Sequence, residues 1–278
     1  DLAPLLGPAM EETLRLQGEQ TRYGAPDEFD GCVGIHVDNM NAGKCVLTYN
    51  WGNSFSDHVR EGSTVKGKLG VAPIPGSHRV LNRQTGELEE CTSTEMCPHA
   101  VRDERTGKLI NQAPYGAYGG FSGAVSGSVS RENQIAAAEF FAFATSAKKA
   151  IKYVIPNAMD PDANPVPTGM DPYAKSMLEV DEWTSRGFDE RSATEYKYAI
   201  ESQLGSSNVV IDLRIPAAAD FMAAIDDVTT RYCNGTKFGE HDDEGRAAAV
   251  RADLSAELAR RWQDIVADFD KEKDDQGA

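Results

Sequence analysis

The sequence lacks several features that would assign a function directly. No run approaches the roughly 18 apolar residues of a membrane-spanning helix, and there is no P-loop or complete dinucleotide-binding fingerprint. The cysteines do not show the CxxC spacing of zinc or thioredoxin sites. Basic residues are few, since 28 Lys and Arg face 44 Asp and Glu for a formal net charge of −16. That balance excludes a phosphate-backbone partner and disfavours an anionic membrane surface.

The composition describes an ordinary globular protein. Apolar residues make up 40% of the 278 positions and charged residues 26%, which suits one large domain or two modest lobes. The acidic surface predicts a soluble monomer. Because the chain starts at Asp1 and not at an initiator Met, we expect it to be a processed or truncated form.

The five cysteines favour an oxidising compartment. One local disulfide is predicted across the polar segment ECTSTEMC, and a second across a Gly- and Asn-containing segment. The leftover Cys233 is followed by Asn234-Gly235-Thr236, a glycosylation sequon. These features predict an extracellular or periplasmic location, with or without a membrane tether. The alternative interpretation is that the cysteines are a set of buried free thiols. The two predicted pairs are Cys91 with Cys97 and Cys32 with Cys45.

Periodicity predicts more helix than strand. Amphipathic spacing predicts helices over 8–22, 29–40, 133–146, 173–204, 217–233 and 243–270. Short apolar runs predict strands at 45–49, 68–72 and 209–211, and Asn82 to Gly86 is typical of a hairpin tip. Strands separated by helices predict an α/β architecture. Trp183 and Trp262 fall within helical patterns, which indicates core positions.

The order of several motifs resembles family 1 extracellular solute-binding proteins of ABC importers. Asn-Ala-Gly-Lys is followed by a strand ending in Asn-Trp-Gly and then by Lys-Leu-Gly-Val-Ala-Pro-Ile-Pro-Gly. The later segments YGGFSGAVS and AAAEFFAFATS also stand in the order of that family, as do Asp171-Pro172-Tyr173 and Ile215-Pro216. The insertion at about 77–112 departs from the family's pattern, which leaves a receptor-type relative open.

The resemblance implies a periplasmic-binding-protein-like (type II) two-lobed α/β fold whose N-terminal part is absent here. In that arrangement, residues 1–112 form part of one lobe, with a cysteine-containing insertion at about 77–112. Residues 113–172 form a hinge crossing and part of the other lobe, and 173–278 complete the lobes. The implied function is binding of a small polar solute, above all a carbohydrate, for delivery to ABC permease subunits. No catalysis and no cofactor are expected.

Candidate ligand-binding residues are aromatic, small or hydrogen-bonding groups near predicted strand ends. Trp51 beside Gly52 is the leading platform for the apolar face of a sugar, against the alternative of a core tryptophan. A Gly-Gly pair between two aromatic residues permits close backbone approach, although it equally suits a plain hinge. Asp212 and Arg214 either bind ligand or simply pair with each other. The candidates are Asn50, Trp51, Tyr118, Gly119, Gly120, Phe121, Tyr173, Asp212 and Arg214, with Asn53 as a weaker one.

Two other functions stay open at this stage. A ligand-sensing ectodomain would bind in the same way but signal through a membrane segment. A serine hydrolase would use Ser122, yet Gly120-Phe121-Ser122-Gly123-Ala124 has Ala where a nucleophile elbow needs Gly. A metal site at Asp160 to Pro165 is disfavoured because Pro165 replaces the glycine of an EF-hand loop.

Overall fold

A computed structural model describes residues 7–25, 34–112, 123–155, 170–209 and 213–275. The structure is mostly helical, with 53% helix and 5% strand. The predicted α/β type II fold is therefore wrong for the described residues, whose strands form only two small antiparallel sheets of two strands. None of the described helices is long and apolar enough to cross a membrane.

Most predicted helices are present, with shifted ends. The helix predicted over 173–204 is divided into a 3₁₀ turn and two α-helices. The helices are α1 (Gly7–Thr21), α2 (Gly34–Asn41), α3 (Ser54–His58), α4 (Arg131–Ala144), α5 (Ala147–Val154), a 3₁₀ turn (Lys175–Leu178), α6 (Val180–Thr184), α7 (Glu190–Leu204), α8 (Ala218–Lys237) and α9 (Glu244–Asp275). The strands are β1 (Arg79–Leu81), β2 (Leu88–Glu90), β3 (Val101–Arg102) and β4 (Leu109–Ile110).

The chain forms two compact units, and neither is a continuous segment. Unit 1 comprises Asp1–Gly24, Pro75–Gln112 and Leu213–Ala278, and unit 2 comprises Ala25–Ile74 and Ala113–Asp212. The chain therefore passes from one unit to the other after residues 24, 74, 112 and 212.

The core of unit 1 lies between α1, α8 and α9. Leu14, Val228 and Leu258 are completely inaccessible to solvent, and the ring of Tyr232 is buried with them. Each helix supplies apolar residues at three- and four-residue spacing, so one stripe of each faces the others. This periodicity is why the sequence predicts these three helices.

The remainder of unit 1 is a pair of hairpins held by a disulfide. β1 pairs antiparallel with β2, and β3 with β4. The turn from Asn82 to Gly86 closes the first hairpin, which confirms the predicted tip, and Gly86 has the positive φ of 77° that favours glycine. Cys91 and Cys97 form a disulfide bond and pack with Leu109 in a small core of their own.

An aromatic cluster forms the core of unit 2. Trp183 is 3% exposed, and its ring contacts those of Phe55, Phe188 and Tyr196 edge-on. The indole Nε1 donates a hydrogen bond of 2.8 Å to the carbonyl of Met177, so its one polar atom is satisfied. The prediction that Trp183 is a core residue is confirmed.

The predicted strands at 45–49 and 68–72 are absent. Residues 68–72 bind side chains of α7 instead of a neighbouring strand. Ser192 Oγ donates to the Leu69 carbonyl at 3.3 Å, and the amide of Val71 donates to Glu195 Oε2 at 3.1 Å. The other segment, 45–49, has no strand assignment, and Val46 is 93% exposed. High β-propensity alone does not form a strand, because a ladder needs a partner.

Helix α4 differs from the other long helices because none of its side chains is buried. Phe140 and Phe143 are 63% and 59% exposed. Ser130 caps its N-terminus by accepting a hydrogen bond from the amide of Asn133. The helix therefore forms from local signals, and it presents an apolar surface to solvent.

Candidate functional site

The short loop before α3 holds Trp51 in a fixed position. The Trp51 amide donates a 2.8 Å hydrogen bond to Asn50 Oδ1, and its carbonyl accepts bonds from the amide and hydroxyl of Ser54. Its side chain is 40% exposed. Trp51 is thus an anchored residue with an accessible ring, which contradicts the alternative of a core tryptophan.

Gly52 lets this loop approach Asp171 very closely. A Cβ added at Gly52 would lie 2.7 Å from Asp171 Oδ1 and 2.9 Å from Ile200 Cδ1. Real Cβ atoms do not show these distances, so a larger residue would force the tips of the Asp171 and Ile200 side chains to shift. The contact joins two segments that are more than one hundred residues apart in sequence.

The Asp171 carboxyl group occupies a partly desolvated position. The residue as a whole is exposed, but the surrounding protein excludes enough water from the carboxyl group to raise its pKa. The backbone amide of Asn53 donates a hydrogen bond to this carboxylate, which acts in the opposite direction on the pKa. Burial also raises the pKa of Tyr196, and the nearby Asp171 charge raises it further.

Tyr173 lies two residues after Asp171 and is 52% exposed, while Pro172 between them is buried. We call the group of Trp51, Asn53, Asp171 and Tyr173 the Trp51 surface. It offers an aromatic face, a carboxylate held by a backbone amide, and a second aromatic residue that carries a hydroxyl. These groups accept and donate hydrogen bonds and stack on apolar faces, which is the chemistry of polyol recognition.

Most of the remaining predicted ligand-binding residues fall outside the part of the chain that the structure describes. Tyr118, Gly119, Gly120 and Phe121 lie outside the described residues, as do Asp212 and the hydrolase candidate Ser122. Arg214 lies in unit 1, where it is exposed and forms no ion pair with another described residue. The predicted pairing of Asp212 with Arg214 therefore remains a prediction.

Of the two predicted disulfides, one is present. Cys91 and Cys97 are bonded, whereas Cys45 carries a free thiol. The bridge predicted from Cys45 to Cys32 is therefore not formed at Cys45, and Cys32 itself lies outside the described residues. Cys233 is buried on α8 and is not disulfide-bonded, which matches the alternative of buried thiols.

The glycosylation sequon falls within helix α8 and not in a surface loop. Asn234 is half-buried, and Thr236 is 6% exposed. The Thr236 hydroxyl donates to the carbonyl of Tyr232 and contacts His241 Nδ1 at 3.0 Å. The sequon therefore gives less support to an oxidising compartment than its sequence alone suggests. The Tyr232 ring stacks on the His241 imidazole, with ring centroids 4.5 Å apart, beside this Thr236–His241 contact.

Asp171 belongs to the Trp51 surface and Tyr196 lies next to it, beside Gly52, and sequence reasoning missed both. Asp171 stood within a motif of the resemblance but was not considered a ligand-binding residue. Tyr196 falls on the apolar stripe of a helix, which marks it only as core. The useful signal is Gly52, because a glycine between two polar or aromatic residues marks a place where another segment approaches.

Two grooves in unit 1 contain none of the predicted site residues. One is about 260 Å³ and lies beside α1, where Arg15 and Arg79 both bind Glu12. The hydrogen bond from Arg15 is the largest cause that lowers the pKa of Glu12, and the charge of Arg79 lowers it further. The other groove is about 470 Å³ and lies between α8 and α9.

Within the described ranges, no three His, Cys, Asp or Glu side chains are placed to hold a metal ion.

Comparison with protein-family models, with curated proteins and with solved structures gave no match.

Proposed function

We propose that this chain binds a small polar solute, a carbohydrate or another polyol, at the Trp51 surface. The observation that carries the proposal is the contact of Gly52 with Asp171, which brings the loop that carries the exposed Trp51 up to a carboxylate. A sugar presents apolar C–H faces and a rim of hydroxyl groups, and these two protein groups complement both. Delivery to an ABC importer, which the motif order implies, is a further part of the proposal and rests on that resemblance alone.

The expected affinity of such a surface is modest. One stacking contact contributes about 1 kcal/mol, and each hydrogen bond to a charged carboxylate about 1.5–3 kcal/mol. The loss of translational and rotational freedom offsets much of this gain. A screen must therefore reach millimolar ligand, since a Kd of about 1 mM corresponds to only about −4 kcal/mol.

Isothermal titration of the whole chain against sugars, polyols, amino acids and phosphate esters tests the proposal. We expect at least one sugar or polyol to bind, and Trp51→Ala and Asp171→Asn each to weaken it about tenfold or more. Tyr23→Ala is the matched control, because this tyrosine is 86% exposed and lies in unit 1. Binding should be unchanged in that variant.

Tryptophan fluorescence provides an independent readout. Trp183 is 3% exposed, Trp51 is 40% exposed, and the third tryptophan, Trp262, is half-buried in the core of unit 1. A ligand stacked on Trp51 should therefore change the emission of Trp51 selectively. The ligand-induced change should vanish in Trp51→Ala and persist in Tyr23→Ala. A folded chain that binds no sugar or polyol, or that binds one equally well in both Trp51→Ala and Asp171→Asn, would refute the proposal.

A further inference from the structure

The surface of α4 combines apolar exposure with a regular helix. Ile135, Phe140 and Phe143 are 46%, 63% and 59% exposed, and no residue of this helix is buried. We call these three side chains the Phe140 face. Helices that are this apolar are ordinarily covered, and contiguous exposed apolar surface marks an interaction site.

Positive charge borders the Phe140 face. Lys149 Nζ lies 4.9 Å from the centre of the Phe143 ring, in cation–π geometry. Residues 123–155 carry four basic and two acidic side chains, in a chain whose net charge is −16. None of the four forms an ion pair with a described residue. The four basic residues are Arg131, Lys148, Lys149 and Lys152.

The groove between α8 and α9 has the opposite character. The apolar side chains of Ile265 and Phe269 line it, and so do the carboxylates of Asp220, Asp264 and Asp268. The one arginine of its lining, Arg261, already binds Asp227 at 2.7 Å. Asp268 pairs with Lys271 at 3.0 Å, whereas Asp220 and Asp264 form no ion pair with a described residue. The groove therefore presents apolar surface bordered by negative charge.

We propose that the Phe140 face of one copy docks into the α8–α9 groove of a second copy. The commitment to a second copy rests on charge complementarity, since one chain carries both an apolar–basic face and an apolar–acidic groove. The face and the groove are different surfaces, so the contact is head-to-tail and leaves one of each free for further copies. This inference does not depend on solute binding.

Sedimentation of the whole chain across a range of concentrations tests the contact. We expect self-association that strengthens as salt is lowered, because ion pairs border the contact. Phe140→Ser/Phe143→Ser, Lys148→Glu/Lys149→Glu and Asp264→Lys/Asp268→Lys should each weaken association by about tenfold or more. Lys66→Glu/Lys68→Glu makes the same charge change elsewhere in unit 2 and should leave association unchanged.

A charge exchange distinguishes specific docking from general repulsion. The Lys148→Glu/Lys149→Glu chain and the Asp264→Lys/Asp268→Lys chain should each stay monomeric alone and associate when mixed, because each face then meets a groove of opposite sign. Circular dichroism should show both chains folded, since the substituted side chains are exposed or half-exposed. A wild-type chain that is monomeric at every concentration, or a mixture that does not associate, would overturn the proposal.

Discussion

Phe55 and Tyr196 stack face to face in unit 2, with ring centroids 4.4 Å apart and planes inclined by 8°. Phe55 lies on α3, directly after the loop that carries Trp51, and Tyr196 lies on α7. A Cβ at Gly52 would lie 3.3 Å from the Tyr196 hydroxyl. The stack therefore couples the Trp51 surface to the hydrophobic core of unit 2.

Truncating Phe55 should destabilise the protein strongly. Phe55 is 4% exposed and Phe140 is 63% exposed, so the same Phe→Ala change probes a buried and an exposed ring. We expect Phe55→Ala to lower the free energy of unfolding by about 3–5 kcal/mol and Phe140→Ala to change it by less than about 0.5 kcal/mol. Urea denaturation followed by circular dichroism measures both. Equal effects of the two substitutions would contradict the described core.

Gly52→Ala should disturb both stability and the Trp51 surface. The added methyl group would meet the tips of the Asp171 and Ile200 side chains, and their displacement should cost about 1 kcal/mol, the low end for overpacking. Gly127 is the matched control, because a Cβ added there has nothing within 4 Å. Thermal denaturation should show a lower Tm for Gly52→Ala and little change for Gly127→Ala. A Gly52→Ala chain as stable as the wild type would show that this contact is looser than described.

The Cys91–Cys97 bond should stabilise unit 1 under oxidising conditions. It closes a short loop, with a sequence separation of 6, so the loop-entropy relation gives about 2 kcal/mol. Calorimetry with and without reductant should show a lower Tm on reduction, and Cys91→Ala/Cys97→Ala should abolish that difference. Cys45→Ala is the control, because Cys45 is a free thiol, and this variant should respond to reductant as the wild type does.

Stability should fall when the solution is acidified below neutral pH, partly because of His58. This residue is 3% exposed. Its Nδ1 contacts Asn41 Oδ1 at 3.0 Å, and its Nε2 has no hydrogen-bond partner among the described groups. Burial, aided by the charge of Arg60, lowers the pKa of His58 below 6.5.

The sign of this effect follows from proton uptake. Below pH 6.5 the unfolded chain binds a proton at this position more readily than the folded chain. The stability associated with neutral His58 is therefore complete above that pH and is lost as the pH falls through the folded-state pKa. His58→Gln should flatten the dependence of the free energy of unfolding on pH in this range, and the exposed His99→Gln should not. An unchanged slope in His58→Gln would contradict the assignment.

The hydrophobic periodicity of the sequence predicted the helices, but it did not predict which distant segments contact each other. The helices α1, α8 and α9 are amphipathic, and their stripes are visible in the sequence. The segment at 68–72 has strand composition, but its backbone binds Ser192 and Glu195 on a helix more than one hundred residues later. No local rule encodes such a contact, which is why the α/β prediction failed.

The same limit applies to the candidate site. Sequence reasoning named Trp51 because it stands beside Gly52 at the end of a predicted strand that is absent from the fold, and it named Tyr173 only as a weaker candidate. It did not identify Asp171 as the partner of Gly52, since that proximity depends on how α3 and α7 pack around Phe55 and Tyr196.

The interleaved path of the chain has a consequence for synthesis. Leu14 on α1 is buried against Val228 on α8 and Leu258 on α9, so about 200 residues must leave the ribosome before α1 has its partners. At roughly 5–20 residues per second, that interval is about 10–40 seconds. During it the apolar stripe of α1 is uncovered, and a chaperone or an export factor has its best opportunity to hold the nascent chain.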